Sequence, residues 1–417
     1  MFVNKKLLHQ ILYPIHTFDK IYFMPQNGAL TESKKRIISL LRQRGSLTKK
    51  ELSQRSGLGW ATVVKALREL MDEKLVISKG TNLSRTHAKG KNAYVYALNP
   101  QTPLIVGIDV EHTLTTLLLT SLEGSVFLQK QLPTPQGNGE RMIDFLTGCI
   151  EESLDRFHRD PKDLAGIGIG LPGLTFPTTP WRANLEKAKR VEQTLAQHFH
   201  TKVRVDTNTN AYALYARWNL PQFQERDFLF VSIRTGIGTA IFSNGNLFRG
   251  ESSLAGGVGH MKVVPAGSVC HCGGKGCLET VVNQNILLRQ YREKVIGLPL
   301  SSEAFSDRQL VSRELEDLFQ KALYGNPAAQ RILKRAGTYL GKAFVNAISL
   351  LGIEHILISG YFGEEATPLI EPIQATVRKA LLRREDIPIT YVPFDPLGHT
   401  QGAVMLILSE YLSDPVR

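Results

Sequence analysis

A chain of 417 residues with 50 Lys and Arg against 38 Asp and Glu has a formal net charge of +12, and its length excludes a single small module. A hydrophobic fraction of 42% with 21% charged residues excludes disorder and fibrous repeats. No run of about 18 apolar residues occurs, and the opening MFVNKKLLHQILYPIH lacks an apolar core and a small-residue cleavage site, so a cytoplasmic protein without membrane contact is expected.

Residues 1–32 form an N-terminal arm in which Leu7, Leu8, Ile11 and Leu12 suggest a short amphipathic helix. The charge is unevenly placed: residues 1–100 hold 18 basic against 6 acidic side chains, leaving 32 against 32 in the rest. A basic module ahead of a neutral body points to a nucleic-acid partner. Within 33–98 the apolar spacing predicts a helix from Ser33 to Arg44, ended by Gly45. Thr48-Lys49-Lys50-Glu51 is a capping box opening a second helix to about Arg55. Ser56-Gly57-Leu58-Gly59 makes a turn with Leu58 pointing inward, and a third helix runs from Trp60 to about Glu73 with Val63, Leu67 and Leu70 as its buried stripe. Its other side presents Trp60, Ala61, Thr62, Lys65 and Arg68, with Val64 at the flank, as a recognition helix presents residues to a duplex. Strands at 75–77 and 94–98, joined by a basic loop with Arg85, His87, Lys89 and Lys91, complete a winged helix-turn-helix, for which double-stranded operator DNA is the expected partner.

From Leu104 the texture becomes α/β. A strand at 104–110, a second at 113–120 and a hairpin through Gly124 lead to a helix at about 140–156 and a strand at 164–170. The pattern recurs with a strand at 227–233, a hairpin over Asn244-Gly245, long helices and a strand at 355–360. Two copies of one half suggest paired ribonuclease-H-like lobes, expected at 103–225 (completed by the C-terminal helix, 400–417) and at 226–399.

The most specific motif is Gly259-His260 followed by Cys270-His271-Cys272-Gly273-Gly274-Lys275-Gly276-Cys277-Leu278-Glu279. With these residues the chain resembles the ROK family (repressors, open reading frames and sugar kinases) over essentially its whole length, in the branch with an N-terminal winged helix-turn-helix. The resemblance implies two actin-like, ATPase-type lobes built to bind a sugar and, in the enzymes, ATP. His260, Cys270, Cys272 and Cys277 offer one imidazole and three sulfurs, a closed set suited to structural zinc; His271 is read as a bystander and Cys149 as core. The ring nitrogen of His260 not on the metal is expected to meet a ligand hydroxyl.

The kinase parts depart from the family. The phosphate-cradling turn reads Asp109-Val110-Glu111-His112-Thr113, with a carboxylate where anionic phosphate passes. At the catalytic-base position Thr207-Asn208-Thr209-Asn210 has Asn208, and a carboxamide does not take a proton at neutral pH. Asp206 is expected to face away from Asn208. Family sugar contacts map onto Thr207, Asn208, Gly257, His260 and Glu279, Gly257 replacing a carboxylate. Pro177, Pro180 and Trp181 are expected to reshape the wall of the sugar site, and Tyr361-Phe362 places an aromatic where adenine lies in the kinases. The expected function is a DNA-binding regulator, a repressor of carbohydrate metabolism with a catalytically inactive body sensing a sugar or derivative, assembled as a homodimer or homotetramer. An active ATP-dependent sugar kinase with a fused DNA-binding module and a ligand-independent scaffold are the alternatives.

Overall fold

The computed structural model describes residues 30–81, 94–101, 103–136, 139–173, 181–224, 226–251, 255–299, 307–363, 365–381 and 387–412. The N-terminal arm up to residue 29, and the loop with Arg85, His87, Lys89 and Lys91, lie outside these residues, as do Pro177 and Pro180. No helix among the described residues is long and apolar enough to cross a membrane.

Helices α1 (Glu32–Arg44), α2 (Lys49–Ser56) and α3 (Trp60–Asp72) pack around Ile37, Ile38, Leu41, Leu52, Val63, Leu67 and Leu70, all almost fully buried. Thr48 and Glu51 form the capping box in both directions: the Glu51 N–H donates to the Thr48 hydroxyl at 3.2 Å and the Thr48 N–H to the Glu51 carboxylate at 2.9 Å. Gly57 ends α2 at φ 69°, a left-handed conformation that suits glycine. Leu58, expected inside, is only half-buried. Strands β1 (Leu47–Thr48), β2 (Val76–Thr81) and β3 (Tyr94–Leu98) form an antiparallel sheet in the order β1-β3-β2, the base of the wing.

Two five-stranded sheets follow, each with one topology. The first has the order β6-β5-β4-β7-β8, from β4 (Leu104–Val110), β5 (Leu114–Thr120), β6 (Val126–Pro133), β7 (Leu164–Leu171) and β8 (Val203–Thr207). The second has β11-β10-β9-β12-β13, from β9 (Phe228–Ile233), β10 (Ile237–Ser243), β11 (Asn246–Phe248), β12 (Ile356–Gly360) and β13 (Ile389–Pro393). In both, the first three strands are an antiparallel meander and the last two are added in parallel, each parallel addition needing a crossover through helix. The helices are α4 (Gly139–Arg156), α5 (Trp181–Phe199), α6 (Asn208–Asn219), α7 (Gln284–Tyr291), α8 (Arg308–Leu323), α9 (Pro327–Leu351), α10 (Thr367–Leu381) and α11 (Gly398–Leu408). Trp181, expected to help reshape the wall of the sugar site, is the first residue of α5.

The chain divides into two compact units, Met1–Pro172 with Glu186–Ala211 and His399–Arg417, and Gly173–Leu185 with Tyr212–Gly398. The sequence-based cut at 225/226 is therefore displaced. Tyr212, Ala213 and Ala216, on the second half of α6, pack with Phe228, Phe230 and Phe242 in one apolar cluster, which draws that half-helix into the second unit.

In the first unit, one sheet face (Leu104, Val106, Ile108, Ile167 and Ile169) packs with residues of α4 and α5, including Leu146, Ile150 and Leu195. The opposite face is a stripe of glycines against α11. A Cβ on Gly168 would lie 1.8 Å from the Ala403 carbonyl oxygen, one on Gly107 2.4 Å from Val404, and one on Gly166 2.9 Å from Ile407. Here the lack of a side chain sets the helix-to-sheet distance. Gly168→Ala is expected to destabilise the protein by about 3 kcal/mol through overpacking. The control Gly148→Ala, in exposed α4 with nothing within 4 Å of a new Cβ, should stabilise by about 0.5–1 kcal/mol. Denaturant unfolding of both variants checks the opposite signs.

Candidate DNA interface and metal-binding loop

On α3 the spacing anticipated from sequence is realised. Trp60, Ala61, Thr62, Lys65 and Arg68 are exposed and Val64 is half-buried, while Val63, Ala66, Leu67 and Leu70 face the core. The acidic residues of this region are held elsewhere: Lys34 of α1 pairs with Glu69 at 3.0 Å and Glu73 at 2.5 Å. Burial works against the Lys34 charge, but the hydrogen bonds and charges of Glu73 and Glu69 outweigh it and hold its pKa above the ordinary lysine range. Gly59 precedes α3 without a side-chain cap, so no side chain occupies the entry to its first turn. Two features escaped the sequence reading. Tyr94, taken only as a strand residue, is 60% exposed at the wing base, and the Lys49 ammonium lies 5.4 Å from the Tyr96 ring centroid.

In the first unit, β4 and β7 run parallel with Asp109 opposite Gly170, and β7 and β8 with Leu171 opposite Thr207. Asp109 is buried at the end of β4. A Cβ on Gly170 would lie 3.2 Å from the Asn208 Cα and 3.5 Å from the Asp109 carboxylate, so the glycine lets these residues converge. The Glu111 N–H donates to the Leu114 carbonyl at 3.0 Å, closing the turn between β4 and β5.

Asp206 is fixed in place: its carboxylate accepts from the Thr207 N–H at 2.7 Å and the Asn210 amide at 2.6 Å. The expectation that strand alternation turns it from Asn208 does not apply, because the chain leaves β8 at Thr207 and enters α6 at Asn208. Thr207, a sugar-contact candidate, accepts from the Asn210 N–H at 3.1 Å and so caps α6.

The second unit contains the other candidates. Gly257 and His260 lie in a single 3₁₀ turn, Gly257–His260, beside β10. A Cβ on Gly257 would meet nothing within 4 Å, so the space beside it is open. Gly259 is required, since its Cβ would lie 2.4 Å from the Ile237 carbonyl oxygen. The cysteine loop closes on itself: the Cys270 N–H donates to the Gly274 carbonyl at 2.7 Å, and Leu278 N–H to Met261 at 2.8 Å. The left-handed Gly276, whose Cβ would be 1.7 Å from the Val264 carbonyl oxygen, permits the fold-back.

His260, Cys270, Cys272 and Cys277 come together with all four donor atoms within 4.8 Å of one another. The Cys272 and Cys277 sulfurs are 3.7 Å apart, and Cys270 Sγ lies 3.6 Å from His260 Nδ1. Tetrahedral zinc with bonds of about 2.3 Å to sulfur and 2.05 Å to nitrogen spaces its ligands by about 3.8 Å and 3.6 Å. The donors therefore fit such an ion. Burial pushes the Cys270 and Cys277 thiols up, whereas at Cys272 burial is outweighed by the Gly274 N–H and the neighbouring thiols, leaving it below the usual thiol range.

His271, read as a bystander, is drawn in: its Nδ1 lies 2.9 Å from Glu279 Oε1 and 3.8 Å from Cys270 Sγ. Glu279, read as a sugar ligand, is buried and its Oε1 is 3.0 Å from Cys270 Sγ and 3.4 Å from His260 Nδ1. Phe362 turns inward and stacks on Phe319, ring centroids 4.9 Å apart. Tyr361 instead packs on Phe394 at 4.2 Å, with the Arg234 guanidinium 5.3 Å from that ring, at the ends of β12, β13 and β9.

Together these features define a winged helix-turn-helix protein whose body repeats a kinase-type α/β half and contains a compact Cys/His loop. Residues 105–408 match the ROK family and residues 30–77 match winged helix-turn-helix DNA-binding domains. The chain belongs to the ROK family. It is 24% identical to the xylose repressor of Caldicellulosiruptor bescii, over 88% of this chain and 93% of that protein. It is 25% identical to the N-acetylglucosamine repressor of Escherichia coli O157:H7, over 86% of this chain and 88% of that protein. The crystal structure of a ROK family transcriptional regulator, a homologue of the E. coli MLC protein, shares the fold with TM-score 0.70 at 22% identity, over 92% of this chain and 98% of that one.

The Asp206–Asn210 bond is open to a double-mutant cycle. Asp206→Ala and Asn210→Ala should each destabilise by about 1–2 kcal/mol, with a coupling of about 1 kcal/mol in the double variant. Strictly additive losses in urea unfolding would show that the two side chains act independently.

Proposed function

We propose that this protein is a DNA-binding transcriptional repressor of carbohydrate-metabolism genes whose body senses a sugar or sugar derivative and does not phosphorylate it. The exposed, basic outer face of α3, within the first 100 residues, where 18 basic side chains stand against 6 acidic ones, is the observation that carries this reading. Trp60, Ala61, Thr62 and Val64 are placed to meet base edges, and Lys65 and Arg68 to meet phosphates. Arg85, Lys89 and Lys91 of the wing are assigned to the adjacent backbone on sequence alone. Relatives named as xylose and N-acetylglucosamine repressors, matched over 88% and 86% of this chain, support the assignment.

Asn208 at the base position argues against phosphoryl transfer, since a carboxamide accepts no proton from a hydroxyl. Glu111 adds a negative charge where the family cradles phosphate. Thr207, Asn208, Gly257, His260 and Glu279 remain the effector-binding candidates, and the open space at Gly257 fits a ligand unlike that of the kinases. His260, Cys270, Cys272 and Cys277 would hold a structural zinc ion, which supplies a cross-link for the loop and no open coordination position. In domain terms 33–98 reads DNA and the body forms two lobes, the chain passing from one to the other within α6 between Ala211 and Tyr212 and the segment from His399 completing the first. Paired half-sites call for a homodimer or homotetramer. An effector then acts through its different affinity for the DNA-competent and DNA-released arrangements.

Anisotropy titration with a mixed-sequence duplex tests the DNA face. Affinity should fall steeply with salt, and Lys65→Ala/Arg68→Ala should weaken binding and make the log–log salt slope shallower by about 1.8. An unchanged slope would move the contact surface away from α3. A coupled assay with ATP and common hexoses and pentoses should yield no sugar phosphate from the wild type, and turnover would restore the kinase reading.

A further inference from the structure

The cysteine loop brings together more donors than one tetrahedral ion takes. His260, Cys270, Cys272 and Cys277 form one set; His260, Cys270, His271 and Glu279 form a second, with the donor atoms of each within 4.8 Å of one another. The sets share His260 and Cys270 and exchange two thiols for an imidazole and a carboxylate. Each leaves out a close pair. In the first, His271 and Glu279 are 2.9 Å apart; in the second, the Cys272 and Cys277 sulfurs are 3.7 Å apart. Cys272 is exposed, and Gly273, Gly274 and Gly276 lie between the two cysteines, with Gly273 and Gly276 in left-handed conformations. Both donor types in the second set are ordinary zinc ligands.

We propose that this loop is a thiol-redox element that retains its metal: oxidation of Cys272 and Cys277 to a disulfide moves the ion from the three-sulfur set onto His260, Cys270, His271 and Glu279. The oxidant class is a hydroperoxide. The Cys272 thiolate attacks the terminal peroxide oxygen, forming S–O as O–O breaks, and the departing hydroxide or alkoxide leaves as water or an alcohol after protonation. The Cys277 thiolate then attacks the Cys272 sulfur, forming S–S as S–O breaks, and a second hydroxide leaves as water. The sulfurs lose two electrons, the peroxide gains two, and the metal keeps its oxidation state. The bonded sulfurs close to about 2.05 Å and are no longer anionic ligands. His271 and Glu279 take their places from within the same cluster, opening their mutual 2.9 Å contact by a few tenths of an ångström to about the 3.3 Å that tetrahedral N and O ligands require. Because the move places Glu279 on the ion, oxidation removes a candidate effector carboxylate; this consequence rests on the metal and effector assignments proposed above.

Cobalt(II)-loaded full-length protein tests the exchange, since thiolate-to-cobalt charge transfer reports the number of sulfur ligands. Reduced protein should bind one ion per chain. Stoichiometric hydrogen peroxide should remove two thiols per chain and yield a Cys272–Cys277 disulfide by peptide mapping. The charge-transfer intensity should fall to about one third, three thiolates becoming one, with the ion still bound. His271→Ala and Glu279→Gln, which leave the first set intact, should bind cobalt when reduced and release it when oxidised. Without oxidant, Cys272→Ser/Cys277→Ser should retain weakened binding that is abolished by adding His271→Ala. Release of the ion from oxidised wild type, a disulfide involving Cys270, or unchanged thiols would overturn the exchange. Reduced wild type that binds neither cobalt nor zinc would instead remove the metal assignment itself.

Discussion

The approach of α11 to the first sheet is the constraint on which the first unit depends. Three glycines, Gly107, Gly166 and Gly168, leave no Cβ where the helix backbone and the side chains of Val404 and Ile407 lie. Close packing of this kind fixes the distance between layers because neither side can give way. The same sheet rows continue to Asp109 and Gly170, where Gly170 in turn admits Asn208. The helix that sets this spacing begins at Gly398, far along the chain from the strands it packs against. The C-terminal segment is part of this core and not an appendage: Leu406, Ile407 and Leu408 are buried.

Elsewhere the chain uses glycine for a different purpose. In the 256–279 region Gly256, Gly259 and Gly276 each approach a carbonyl too closely for a side chain, bending the loop until distant thiols and imidazoles share one small volume. The donors come from positions 260 to 279, and backbone bonds such as Leu278 to Met261 bring the ends of that stretch together. The loop backbone is therefore folded around the donor cluster by its own hydrogen bonds. An ion in such a place adds a cross-link to geometry already specified by backbone bonding.

Legibility in the sequence followed the locality of each interaction. The capping box, the buried stripe of α3 and the left-handed Gly57 are set by short-range spacing, and each is present as read. The Cys and His spacing likewise announced its cluster. What the sequence concealed depended on partners far along the chain. The split of α6 at Ala211/Tyr212 arises from packing against aromatic residues of β9 and β10, which no local period reveals. His271 looked incidental because a residue between two ligands carries no sign of where its ring points; only the return of the chain at Glu279 gives that ring a partner. Asp206 misled for a related reason, since alternation holds only while the strand continues.

Asn208 joins these levels. Asn208 is the first residue of α6, whose cap is the Thr207 hydroxyl, so nothing local marks it out. Its significance comes from Asp109 and Gly170, which converge on it through the register of β4 and β7. One atom's change from carboxylate oxygen to amide nitrogen leaves shape and hydrogen-bonding capacity nearly intact while withdrawing the ability to accept a proton. A scaffold altered in this manner keeps its fold and can keep affinity for hydroxyl-bearing ligands. On the function proposed above, a scaffold that binds its ligand without converting it separates recognition from turnover, and a bound molecule that is not consumed can report its concentration at equilibrium. That is the thermodynamic requirement for a sensor, because linkage between effector and DNA operates through binding free energies and is undone when the ligand is converted to product.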